Sequence, residues 1–121
     1  VLLPIASFFL GGKTLAKGIV LLDAGVPVAL STDFNPGSSP SKNIFMCMTM
    51  ACLKMGLTIE ESLTAVTINA SCALGLGKET GSIEKRKAAD IVITNAYDYK
   101  EIPYWFGMNL VKTRIFGGKS V

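Results

Sequence analysis

One carboxylate stands at the end of a strand-like apolar run. Val26-Pro27-Val28-Ala29-Leu30 leads into Ser31-Thr32-Asp33, and Phe34-Asn35-Pro36-Gly37-Ser38 turns the chain away at once. A carboxylate at the C-terminal tip of a buried parallel strand sits where α/β barrels keep their chemistry; it can ligate a hard cation or take a proton from water. The same residue type ahead of a Pro-Gly turn can instead close an Asx-turn or cap a helix, and spacing alone favours that reading. No histidine occurs among the 121 residues, so a metal site or water-activating site built on Asp33 needs most of its other groups from outside these residues.

Other residues with reactive or binding chemistry are better explained by packing or by solvation. Met46, Met48 and Met50, with Cys47 and Cys52, are soft donors, but their spacing winds around a helix instead of gathering on one face, which suits a core. The cysteines are three in number and form no C-x-x-C, as expected of core thiols in a reduced, cytoplasmic protein. Lys85-Arg86-Lys87 is the only basic run and has no aromatic platform beside it; with a net charge of +3, nucleic acid is not an expected partner. Glu60 and Glu61 adjoin a helix start, where the macrodipole favours carboxylates, and are assigned no catalysis. Tyr104-Trp105-Phe106 could stack on a ligand, but is expected to pack between two substructures.

The elements that must position Asp33 follow from periodicity and turn residues. Val1 to Ile5 does not alternate and is expected to be a strand buried on both faces. Lys13 to Ala24 has Leu15, Ile19 and Leu22 near helical spacing, with Gly25 as the stop. Val26 to Ser31 is the next strand. Val26, Val28 and Leu30 face helices, while Ala29, Ser31 and Asp33 face a crowded interior. Strand, helix, strand in that order implies a right-handed crossover and a parallel pair. Ser41 is placed to cap a helix running through Ile44, Met48, Ala51 and Met55 to Gly56. Thr58 and Glu61 have the spacing of a capping box for the next helix, which carries Leu63, Val66 and Ile68; Ala73 to Leu76 adds a short turn.

From Gly81 the pattern turns strand-like, through Ile83, then Ala89 to Ile93, then Leu110 to Phe116, with Gly117-Gly118 as a tight hairpin. The fold class expected is α/β: the C-terminal part of a (β/α)8 barrel over residues 1–78, then short strands of a small β-sandwich domain over 79–121. The first apolar run lacks a basic start, contains Pro4 and ends at Gly11-Gly12, too short to span a bilayer. Half of the residues are apolar and only 17% are charged, more core-forming content than so small a body can hide. The chain is therefore expected to be a piece of a larger globular protein.

Three stretches together resemble the C-terminal third of the metal-dependent amidohydrolases: Ser31-Thr32-Asp33-Phe34-Asn35-Pro36-Gly37, Asn69-Ala70-Ser71-Cys72-Ala73-Leu74-Gly75-Leu76, and Gly81-Ser82-Ile83 with Ala89-Asp90-Ile91-Val92. The S-T-D-x-N-P-G loop and Ile102-Pro103-Tyr104-Trp105-Phe106-Gly107-Met108-Asn109 narrow the likeness to the imidazolonepropionase family, which hydrolyses a cyclic amide in histidine degradation. The resemblance implies a (β/α)8 barrel holding one zinc or iron ion through histidines of earlier strands and an aspartate at the last. Asp33 matches that aspartate, as metal ligand and catalytic base. Asn35 and Gly37 match positions that hold the product N-formimino-L-glutamate, and Ser38 falls where the family contacts 4-imidazolone-5-propanoate.

The chemistry so implied is hydrolysis of the ring amide. A divalent metal brings the pKa of bound water from near 16 to roughly 7, and the aspartate passes that proton to the departing nitrogen. The family's histidines and its arginine and tyrosine groups for the propionate are absent, so the 121 residues alone are expected to be inactive and to self-associate or form homo-oligomers. The expected partner is a small-molecule substrate, with no nucleic acid and no membrane. Two other readings stay open: another amidohydrolase, such as a cytosine or guanine deaminase relative, and a non-catalytic structural or interaction remnant.

Overall fold

Pro4 decides how the chain begins. Its fixed φ and missing N–H suit the first turn of a helix, and in the computed structural model, which describes residues 1–121, it opens helix α1 (Pro4–Phe9). The strand expected over Val1 to Ile5 is thereby cut short. Only Leu2 pairs, in a parallel bridge to Leu30: its N–H donates to the Ala29 carbonyl at 2.8 Å, and the Ser31 N–H donates to its own carbonyl at 3.1 Å. The parallel arrangement is present, at the scale of one bridge.

Helix α2 (Gly18–Asp23) starts five residues later than expected from Lys13. Lys17 is extended, with φ −77° and ψ 92°, and Gly18 lies so close to the Leu57 side chain that a Cβ there would make Leu57 shift. Gly25, at φ +76°, stops the helix as expected. The following segment is extended but, outside the Leu30 bridge, forms no ladder; helices satisfy its backbone instead. The Leu30 N–H donates to the Ala65 carbonyl at 3.0 Å, and the Asn69 side-chain amide donates to the Val28 carbonyl at 2.9 Å. Val28 and Leu30 pack with Ala51, Met55, Leu57 and Ala65 in the largest core cluster, the side predicted for them, while Val26 is exposed.

Helix α3 (Ile44–Met55) is capped by Asn43, not Ser41. The Asn43 side chain accepts the Met46 N–H at 3.2 Å, and Ser41 Oγ accepts the Asn43 N–H at 3.2 Å, shaping the turn before the cap. Met48, Met50, Met55 and Cys47 are all buried and are divided among three separate core clusters, the packing role expected of them. Helix α4 (Ile59–Val66) carries the predicted capping box: the Glu61 N–H donates to Thr58 Oγ1 at 3.1 Å and the Thr58 N–H donates to Glu61 Oε2 at 2.8 Å. Such a cap is worth about 1 kcal/mol. The helix does not run on through Ile68, because Thr67 takes φ −115° and ψ −97°; helix α5 (Ile68–Ala73) then starts afresh and ends before Gly75 at φ +76°.

The strand-like half forms one antiparallel sheet, β1 (Ile91–Thr94), β2 (Val111–Phe116) and β3 (Lys119–Ser120), in that order. Ile91 pairs with Ile115 and Ile93 with Thr113, and the register shifts between Ile93 and Thr94. Gly117 and Gly118 both take positive φ, 55° and 80°, as a type I′ hairpin turn requires, and Asp90 accepts the Gly117 N–H at 2.8 Å. Ile83 joins no strand.

Between β1 and β2, the single-turn helix α6 (Glu101–Tyr104) docks on α3, where Thr49 Oγ1 donates to the Pro103 carbonyl at 2.7 Å. One turn presents only one face, and Ile102 and Pro103 occupy it. The Tyr104-Trp105-Phe106 run expected to fill this junction is therefore left 75%, 44% and 60% exposed. No helix is long and apolar enough to cross a membrane.

Candidate functional site

The Asp33 loop is held from both sides. Ser31 closes the extended segment, its carbonyl facing the Cys47 thiol at 3.6 Å. Next, the Thr32 carbonyl accepts the hydroxyl of Ser39, a residue with no exposed surface. Asp33 itself sits at φ 51°, one of two non-glycine residues in the left-handed region, a conformation that costs an L residue about 1 kcal/mol. Its N–H donates to Ser31 Oγ at 3.3 Å and its carbonyl accepts Asn35 Nδ2 at 2.7 Å.

The Asp33 carboxylate accepts no hydrogen bond and joins no ion pair, whereas Asn35 is spent on the turn. Asn35 Oδ1 accepts the Gly37 and Ser38 N–H groups at 2.9 and 2.8 Å, and its Nδ2 donates to Ser38 Oγ at 2.9 Å. The Asx-turn available to an acidic or amide residue here is made by Asn35, which leaves the acid free. Asn35 also pairs with Ser39 in an antiparallel bridge, N–H to carbonyl in both directions, at 3.0 and 3.2 Å.

Asp33, Asn35, Gly37 and Ser38 thus share one short loop, with unequal freedom. The Gly37 amide is already engaged, and the side chains of Asn35 and Ser38 bind each other; what they present outward is a fixed surface. Lys42 adds a positive charge, its Nζ lying 4.5 Å from the centre of the Phe34 ring. Ser39 was not singled out from sequence. A small hydroxyl between Ser38 and Pro40 gives no local sign that it will be fully buried seven residues beyond its partner.

The donor set fits one position of a divalent-metal site and no more. No group of three histidine, cysteine, aspartate or glutamate side chains comes together. Asp33 supplies one unpaired hard oxygen at a strand end. Cys47 lies beneath the loop with its thiol on the Ser31 carbonyl, and burial pushes that thiol up to about 12. We expect Cys47 to resist iodoacetamide in the folded protein at pH 8 and to be modified once denatured, which peptide mass spectrometry reads directly. The sign of the linkage follows: the native thiol stays protonated where the unfolded one ionises. Its contribution to stability is complete below about pH 9 and is lost as pH rises from there toward 12.

Two other features lie away from the loop. Glu60 accepts the Tyr99 hydroxyl at 2.7 Å, which lowers the Glu60 pKa and raises that of Tyr99; it ties the 95–100 segment to α4 and lies apart from the loop. A cavity of about 970 Å³ lies between α3 to α5 and the sheet, where Phe45, Met48, Leu63 and Ile91 line it. Asp33 does not border it, though Lys42, Glu84, Lys87 and Asp90 do.

The Amidohydrolase family model matches residues 3–121. The chain is 50% identical over all 121 residues to an imidazolonepropionase of Bacillus velezensis, of which it spans 29%. It is also 50% identical over 121 residues to an imidazolonepropionase of Geobacillus kaustophilus, of which it spans 28%. In structure it is similar to an adenosine deaminase of Xanthomonas campestris solved with bound zinc: TM-score 0.82 and 24% identity over 98% of this chain and 30% of that one, a likeness of fold. The chain spans under a third of the length of these relatives. A family model matched over residues 3–121 makes this chain a member of the amidohydrolase family.

Proposed function

We propose that this chain is part of a metal-dependent hydrolase that opens the ring of 4-imidazolone-5-propanoate to N-formimino-L-glutamate, in histidine degradation. The observation that carries the reading is the unpaired Asp33 carboxylate in a chain half identical throughout to imidazolonepropionases. Within the whole protein, residues 1–78 belong to the end of a (β/α)8 barrel and 79–121 to a small β-sandwich. It works on a small-molecule substrate, in the cytoplasm, as a homo-oligomer.

Asp33 would hold one divalent cation, zinc or iron, together with donors outside these residues. When bound, that cation makes water acidic enough to attack an amide at neutral pH. Asp33 would accept the proton released by that water and deliver it to the ring nitrogen as the carbon–nitrogen bond breaks. Asn35, Gly37 and Ser38 form the adjoining wall, against which the product and substrate lie. Because their hydrogen bonds are already made within the loop, this wall orients a ligand without having to be ordered by it. Deaminase chemistry uses the same acid and metal, but the solved deaminase likeness is one of fold, at 24% identity.

The test is made on the complete protein. Chelator treatment is expected to abolish conversion of 4-imidazolone-5-propanoate, and zinc or iron(II) to restore it. Release of ammonia from guanine or cytosine, with no ring opening of the imidazolone, overturns the reading.

A further inference from the structure

The conformation of a residue is set by the two peptide planes that flank it, and at Asp33 both planes are tied. Before it, the Thr32 carbonyl is held by the Ser39 hydroxyl and the Asp33 N–H by Ser31 Oγ. After it, the Asp33 carbonyl is held by Asn35 Nδ2 at 2.7 Å. Between these ties Asp33 stays at φ 51°, a left-handed conformation uncommon for residues other than glycine. The tie from Ser39 is the deepest. Ser39 has no exposed surface, and its own backbone is bridged to Asn35 in both directions, so one residue secures the near plane and anchors the residue that secures the far one.

We propose that Ser39 is a positioning residue for Asp33: through the Thr32 carbonyl it maintains the left-handed backbone that leaves the Asp33 carboxylate free for the metal. The proposal rests on the reading of Asp33 as a metal donor. Ser39 touches neither substrate nor metal; its effect passes through backbone alone. Without its hydroxyl the Thr32–Asp33 peptide is free to turn, and the carboxylate moves out of line with the other donors.

A double-mutant cycle on the complete, metal-stripped protein tests this, read by zinc affinity against a competing chelator. Circular dichroism of the metal-free proteins checks folding. Ser39→Ala is expected to weaken zinc binding roughly tenfold, the low end of what losing an outer support costs. Asp33→Ala is expected to weaken it further, and Ser39→Ala added to Asp33→Ala to change nothing more, since there is no carboxylate left to position. If Asp33→Ala binds zinc like the parent, the metal-donor reading itself falls, and the proposal with it. Where Asp33→Ala loses zinc but Ser39→Ala does not, Asp33 stands and positioning is refuted. An equal loss from Ser39→Ala with and without Asp33 means Ser39 acts on the fold at large, and also refutes it. Should alanine at 39 give no folded protein, Ser39→Cys, close in size and a weaker donor, goes through the same cycle with the same outcomes.

Discussion

Asp33→Asn in the complete protein is expected to lower turnover by on the order of a thousandfold, about 4 kcal/mol of transition-state stabilisation. Bound zinc or iron should fall below one per active site in the same preparation. The substitution keeps the shape of the side chain and removes its charge, so it tests the carboxylate rather than the space it fills. Asparagine also tolerates the left-handed backbone that Asp33 adopts at φ 51°, and the loop should survive. On the proposed reading the charge would matter twice over, ligating a hard cation and taking the proton of the attacking water. Turnover assays beside elemental analysis separate the two roles, since lost rate with full metal content isolates the proton transfer. Normal turnover with full metal content removes Asp33 from the mechanism.

The 121 residues expressed alone should bind no zinc in stoichiometric amount and open no imidazolone ring. One carboxylate cannot hold a cation that requires about four donors, and no group of three histidine, cysteine, aspartate or glutamate side chains comes together. The same preparation should self-associate and bind a hydrophobic dye. Phe8, Phe9 and Leu10 are exposed in sequence at the end of α1, and Leu53, Leu74 and Ile83 are exposed elsewhere. Contiguous apolar surface of this kind is rare on monomers. The edge of β1, with Val92 and Ile93 open to solvent, offers unpaired backbone groups to another copy. Light scattering and dye fluorescence read the association; dialysis against zinc reads the metal. A dye-silent monomer that retains one zinc would contradict both halves of the expectation.

The turn after Asp33 and the next helix cap were legible in the residues. Asn-Pro-Gly after Ser-Thr-Asp marks a turn from residue types alone, whereas the strand expected over Val26 to Ser31 forms only the Leu30 bridge; Thr58 with Glu61 marks a capping box that forms as written. The Gly117-Gly118 hairpin and the burial of the Met-rich helix are equally local in origin: glycine admits positive φ, and methionines at successive turns suit a core. Sequence fell short where the outcome depended on who stands nearby. Val1 to Ile5 has strand composition, but Pro4 suits a helix start and only Leu30 is present to pair with Leu2. Tyr104 to Phe106 look like core and lie exposed, because α6 is one turn long and Ile102 and Pro103 take its inner face.

The residue identities therefore determined which group carries the charge and which turns bracket it, since propensity, capping and turn geometry act over a few residues. Tertiary structure alone decided that Ser39 is buried on the Thr32 carbonyl. It also decided that Cys47 lies beneath the loop, where burial raises its pKa. Those outcomes turn on burial and on backbone partners brought from elsewhere in the chain, and neither is written in the local order of residues.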